Sequence, residues 1–319
     1  MTFPPEFEPI IIDPIVIPPP DPDPGEDDPT ATIEYGDGSS SSATSQVYAD
    51  RGITSMTWAQ EPFRTLWATR SDGLLIGLTY DKDQAVGAWH RHPMENGAVL
   101  QVAGIPDPST GHKQVWMIVQ REINGVVKKY IEYMLPPHEP ETATDTDGFI
   151  YLDSSLSYSG APVSSVSGLA HLEGETVSVW ADGARHGDRV VASASISLDG
   201  EYSTVHVGKH SSSYIQTLPT LAGSSMGRGM GKRKTVSEIK VYFYDTIGGK
   251  AGETQSLAED LNIRTSESDM GQTPNMQTGY YETSIARTYN DTGQFFIIQD
   301  RPAPMDILAL VPEIDGTNY

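Results

Sequence analysis

Four places in this chain carry residue types that do chemistry, and each needs a particular scaffold before it can act. Gly223-Ser224-Ser225-Met226-Gly227 has the spacing G-x-S-x-G, in which a serine is raised on a strained turn between a buried strand and a helix. Here Leu218-Pro219-Thr220-Leu221 stands before it, and Arg228-Gly229-Met230-Gly231-Lys232-Arg233-Lys234 follows. A proline-interrupted approach and a glycine-rich basic exit are not those elements, so a hydrolase built on Ser225 is disfavoured. Gly231-Lys232 also suggests a phosphate-binding loop. That loop wants Gly where Met226 stands and Ser or Thr where Arg233 stands. What remains is charge. Arg228, Lys232, Arg233 and Lys234 form the densest basic cluster in the chain, either a solvated loop or an electrostatic contact to an acidic neighbour.

His90 and His92 are two apart, so on a strand they share a face and could ligate a metal. No third ligand can be placed beside them from sequence, and packing with Trp89 plus bonds to backbone is the simpler expectation. Asp145-Thr146-Asp147-Gly148 echoes a calcium loop but lacks the further spaced carboxylates and the closing Glu; a surface turn is expected. The tryptophans Trp58, Trp67, Trp89, Trp116 and Trp180 each fall in or beside a strand candidate, spaced as core residues rather than as a sugar-binding platform. The reading is therefore non-enzymatic, with no catalytic residue, no cofactor and no metal.

The elements that would position these residues are strands. Glycine occurs 30 times and proline 23 times in 319 residues, punctuation suited to many short strands. Residues 66–70, 74–80, 85–92 and 98–104 are candidates, and 115–121 pairs with 126–134 across Asn124-Gly125, a strong hairpin signal. Together they make an antiparallel meander like propeller blades. Residues 136–148 form an acidic break. A second β region has candidates at 176–180, 189–192, 203–208, 238–244 and 294–300, with a helical turn or two within 251–263.

The chain has 43 acidic and 21 basic residues, a formal net charge of −22. Such a surface repels phosphates, so sequence-independent nucleic-acid binding is not expected. Cysteine is absent, which removes disulfides, thiolate nucleophiles and Cys-based zinc sites. No basic flank with an apolar run opens the chain, and no apolar stretch reaches 18 residues; a soluble product made in a cytoplasm is expected, with no membrane-spanning segment.

The first 30 residues hold ten prolines, eight carboxylates and no Lys or Arg. Proline fixes φ and lacks an N–H, so this stretch is expected to be an extended arm without a core of its own. Within it lie Ile10, Ile11, Ile12, Ile15, Val16 and Ile17, a greasy patch that belongs either to a disordered acidic tail or to an arm lying on a partner or an adjacent subunit. Gly36-Asp37-Gly38 and Ser39–Ser42 then read as a flexible connector.

A resemblance enters at Trp67-Ala68-Thr69-Arg70-Ser71-Asp72-Gly73-Leu74-Leu75, Leu78-Thr79-Tyr80-Asp81 and Ala88-Trp89-His90-Arg91-His92. It continues through Val115-Trp116-Met117-Ile118-Val119, Gly168-Leu169-Ala170-His171-Leu172, Val177-Ser178-Val179-Trp180-Ala181-Asp182-Gly183, Val205-His206-Val207-Gly208 and Ala309-Leu310-Val311-Pro312-Glu313. In this order, across roughly residues 55–315, the chain resembles the C-terminal part of the nozzle, or tail tubular protein B-like, virion proteins of short-tailed bacteriophages. Family members are commonly longer, and the acidic arm stands where their upstream portion would be. The resemblance implies a homohexameric ring around the channel through which DNA leaves, contacts with other tail, adaptor or fibre proteins, and location in the virion. DNA would pass without specific binding. It carries no catalytic residue to transfer.

The resulting expectation is an all-β chain: arm and linker at 1–45, a blade-like antiparallel meander at 46–147, and a β-sandwich or barrel at 148–319. Ile10, Ile11, Ile12, Ile15, Val16, Ile17, Arg228, Lys232, Arg233 and Lys234 are the candidate assembly contacts. The rival is a phage adhesin or fibre-attachment module whose exposed aromatics hold a host-surface glycan.

Overall fold

The hairpin signalled by Asn124-Gly125 forms. Lys113–Ile123 alternates buried and less buried residues, and Val126–Tyr133 runs antiparallel beside it. Asn124 and Gly125 have φ of 49° and 72°, the left-handed pair that a two-residue type I′ turn requires. The structure, a computed structural model, describes residues 52–61, 63–83, 86–108, 111–219, 233–261, 273–285, 289–290 and 292–316. The arm, the connector, Ser225 and the basic residues Arg228 and Lys232 lie outside the described residues. The chain divides into two units, Met1–Pro137 and His138–Tyr319.

The first unit contains β1 (Ile53–Ala59), β2 (Thr65–Arg70), β3 (Leu75–Asp81), β4 (Val86–His92), β5 (Gly97–Pro106), β6 (Lys113–Ile123) and β7 (Val126–Tyr133). They make two sheets, β1-β2-β3-β4 and β5-β6-β7, in which every pairing is antiparallel and between sequence neighbours. The expected single meander is thus broken between β4 and β5. Pro93, which has no N–H for a ladder, and Asn96 at φ 50° turn the chain there. Ala59, Trp67 and Leu75 from the first sheet share a buried core with Val99, Val102, Val115, Met117 and Val119 from the second. Ser55 also joins the sheets, its hydroxyl donating to the Val102 carbonyl at 3.0 Å and accepting from the Val102 N–H at 3.3 Å.

The second unit contains β8 (Asp153–Ser167), β9 (Thr176–Ala181), β10 (Ala184–Val190), β11 (Ser195–Lys209), β12 (Ser213–Gln216), β13 (Lys234–Thr246), β14 (Lys250–Gly252), β15 (Glu259–Asp260), β16 (Gln277–Ser284), β17 (Phe296–Gln299) and β18 (Asp306–Gly316). Its sheets are β10-β9-β11-β8, β12-β17-β14-β15 and β16-β13-β18. In β13 Ile239, Val241 and Phe243 are fully buried, and they share a core with Ala251, Leu261, Phe295 and Ile297. Burying a side chain of that size contributes about 1.5–3 kcal/mol.

Three expectations need correcting. The barrel alternative for the second region is not realised, because each sheet among the described residues is open, with two different end strands. Among the described residues, the helical turns placed within 251–263 reduce to one 3-10 turn, Gln255–Leu257, because β14 and β15 take the residues on either side of 253–258. The unit boundary falls at 137/138, near the start of the acidic stretch 136–148 and not at its end. Trp180 Nε1 donates to the Thr146 carbonyl at 2.9 Å, His206 Nε2 lies 2.8 Å from the Asp147 carbonyl, and Met276 N–H donates to Ala143 at 2.9 Å. Those bonds make residues 138–147 part of the second unit.

Candidate functional site

Among the described residues, the β5-β6-β7 sheet turns one face inward and leaves part of the other exposed. Alternation sends Val115, Met117 and Val119 into the core and Trp116, Ile118 and Gln120 outward. Register then builds rows on the outer face: Ala103, Trp116 and Tyr133 lie side by side, as do Gln101, Ile118 and Ile131. Trp116 and Tyr133 have ring centroids 5.0 Å apart. Along β7 the residues of this face are Val127, Lys129, Ile131 and Tyr133, with Val127 59%, Ile131 45% and Tyr133 46% exposed. Ile105, at 47%, lies on the same face of β5. Contiguous apolar surface of this kind marks interaction sites more often than isolated exposed side chains do.

The charge of this sheet differs from that of the chain. Its strands carry Lys113, Arg121, Lys128 and Lys129 against Glu122 and Glu132, four cations facing two carboxylates in a protein of net charge −22. Arg121 is spent internally. It is 1% exposed, and its Nε and one terminal nitrogen donate to the two oxygens of Glu132, each at 2.8 Å. Lys113, Lys128 and Lys129 are exposed.

Of the sequence-derived assembly contacts, two are described. Arg233 is exposed. Lys234 opens β13 and is 3% exposed, its backbone N–H and C=O bonded to Asn290 at 2.7 and 2.8 Å; it belongs to a strand rather than to a solvated loop. Ile10, Ile11, Ile12, Ile15, Val16, Ile17, Arg228 and Lys232 lie outside the described residues.

His90 and His92 do share a face, but they meet Trp67 rather than Trp89. Residue 89 projects to the opposite side of β4, whereas Trp67, Gly77 and His90 form one row across β2, β3 and β4. Gly77 supplies the space: a Cβ there would lie 2.1 Å from His90 Cε1. His90 Nδ1 and His92 Nε2 are 2.6 Å apart, and His90 Nε2 is 3.1 Å from the Thr79 hydroxyl. Both imidazoles touch Trp67, with centroids at 5.6 and 4.8 Å. Burial lowers the pKa of both, and that of His92 falls to about 4 through burial and the neighbouring His90. Neutral rings bonded to each other on a buried indole are a packing device. Among the described residues no group of three or more His, Asp or Glu side chains is gathered for a metal.

The Asp145-Thr146-Asp147-Gly148 turn is likewise structural. Thr146 is fully buried against the Asp182-Gly183 turn, where a Cβ on Gly183 would meet Thr146 Oγ1 at 2.1 Å. Burial, Asp182 and Asp145 raise the pKa of Asp147. Trp67 and Trp180 are core residues at 8% and 1% exposure, while Trp58, Trp89 and Trp116 are half-buried.

A second exposed group was not anticipated. On the outer face of β16-β13-β18, Tyr242 and Tyr280 are directly paired, with rings stacked at 4.3 Å and 19°. Tyr280 is 69% and Tyr244 51% exposed. Beside them Lys240 Nζ bridges Glu282 at 2.8 Å and Glu238 at 3.4 Å. The alternation in residues 238–244 was the available signal for two of these tyrosines.

In comparisons with known proteins, no protein-family model matches the chain and no curated protein sequence matches it. Among the described residues no helix is long and apolar enough to cross a membrane.

Proposed function

We propose that this chain is a structural, non-enzymatic subunit of a bacteriophage tail or head-to-tail complex, a nozzle-like component of a ring around the DNA exit channel. One observation carries the reading. On the outer face of the β5-β6-β7 sheet, Val127, Ile131 and Tyr133 are exposed beside half-buried Trp116 and Ile118, in a strongly acidic protein. A sheet with an apolar outer face is completed by another layer, and in a ring the next subunit supplies it. The antiparallel sheets of the first unit serve as propeller-like blades on this reading. In the second unit the shared core of β13, β14 and β17 supports a sandwich-like arrangement.

The ring has six copies, as the resemblance implies, and contacts other tail, adaptor or fibre proteins within the virion. The acidic surface lets DNA pass without specific binding. The N-terminal arm is the joining segment between copies. Mass measurement and electron microscopy of the purified full chain test this directly. Closed rings are expected, and a monomer at every concentration overturns the proposal.

One observation favours an adhesin instead: the stacked Tyr242–Tyr280 pair, with Lys240 and Glu282 alongside, offers the flat apolar surface and polar rim that sugars use. A glycan array separates the readings. Specific glycan binding lost in Tyr280→Ala, together with a chain that stays monomeric, would favour the adhesin.

A further inference from the structure

Strand β7 is the last strand of its sheet among the described residues. An edge of this kind is a template for one more strand, and lysines on it discourage indiscriminate pairing. Lys128 and Lys129 occupy the middle of β7 and are exposed. Two such edges brought together would oppose four ammonium groups, so β7 does not pair with its own kind. It favours a strand that combines apolar side chains with carboxylates.

One segment of the same chain has that composition. Ile10-Ile11-Ile12-Asp13-Pro14-Ile15-Val16-Ile17 is preceded by Glu6 and Glu8 and followed by Asp21 and Asp23, with no cation nearby. Pro9 and Pro18 bracket it, and the eight residues between them match the 8 residues of β7. Pro14 cannot donate to a ladder, but in one alternation it faces away from the edge while Ile11, Asp13, Ile15 and Ile17 turn their N–H groups toward it.

We propose that residues 10–17 of one copy add as a strand to β7 of a second copy, against Ile131 and Tyr133 of the outer face. The proposal rests on the ring reading above and names the contact that joins its subunits.

The chain contains no cysteine, so introduced thiols report without background. Full-length Ile12→Cys and Ile131→Cys are prepared separately, mixed, and treated with a short bismaleimide. Crosslinked dimer is expected in the mixture, and little in either variant alone. Lys128→Glu with Lys129→Glu, both at exposed positions, should reduce the mixed crosslink at least tenfold, as should raised salt. Absence of the mixed crosslink in a chain that forms rings overturns the docking proposal and leaves the ring standing. Crosslinking confined to single chains carrying both cysteines overturns the exchange between copies. A chain that is monomeric throughout sinks the ring reading itself.

Discussion

Replacing His92 with glutamine should remove a pH dependence that the wild-type fold carries. His92 sits against Trp67 and bonds to His90, and burial holds its pKa near 4 instead of the ordinary 6.5. The unfolded chain therefore takes up this proton more readily than the folded one. Stability from the neutral ring is complete above the unfolded value. It is lost as pH falls from about 6.5 toward 4, and the loss stops below that. A shift of this size corresponds to roughly 3 kcal/mol in full, of which about 2 kcal/mol is gone by pH 5. Glutamine is uncharged at every pH and retains a group that donates or accepts toward His90. The assay is urea denaturation of both proteins at pH 7.5, 5 and 4, followed by tryptophan fluorescence. Carboxylate titration is common to both and cancels, so the wild type should lose about 2 kcal/mol relative to His92→Gln between the first two conditions. A stability difference that stays constant across the series would refute the reasoning.

Glu132→Ala should cost the first unit about 3–5 kcal/mol, because it removes the carboxylate that takes two bonds from a guanidinium that is 1% exposed; chemical denaturation reads the loss, and a cost below about 1 kcal/mol contradicts it. Gly77→Ala should destabilise by about 1–3 kcal/mol through collision with the His90 ring, although strand propensity alone predicts a gain; thermal melts decide the sign. Asp182→Ala should cost about 1–3 kcal/mol, since one Asp182 oxygen accepts from the Ser203 and Thr204 N–H groups at 3.0 and 2.8 Å. Asp182→Asn keeps an acceptor and tolerates the positive φ, and should lose far less in the same melts.

Much of the strand content was legible because it rests on local alternation and turn chemistry. Lys113–Ile123 and residues 238–243 alternate in burial with period two, and Asn124-Gly125 and Asp182-Gly183 are left-handed turns that mark the strands beside them. Other strands were not seen. β8 reads DSSLSYSGAPVSSVS, mostly small polar residues that gain strand geometry from fifteen-residue β11 beside them. β18 contains Pro312, tolerable because β18 ends its sheet. The candidate surface was legible only in part. Sequence marks Trp116, Ile131 and Tyr133 as strand residues, but which face stays uncovered depends on what packs behind Val115, Met117 and Val119. The Trp67–His90 contact likewise depends on register across three strands.

The β16-β13-β18 sheet places its middle strand first in the sequence and both flanks later. During synthesis, β13 therefore emerges without either partner, and Ile239, Val241 and Phe243 wait until Ile307, Leu310 and Ile314 have been translated. The nearest-neighbour hairpins of the first unit face no such delay. A ribosome paused before residue 306 should thus display a finished β5-β6-β7 sheet attached to a greasy, chaperone-attracting intermediate.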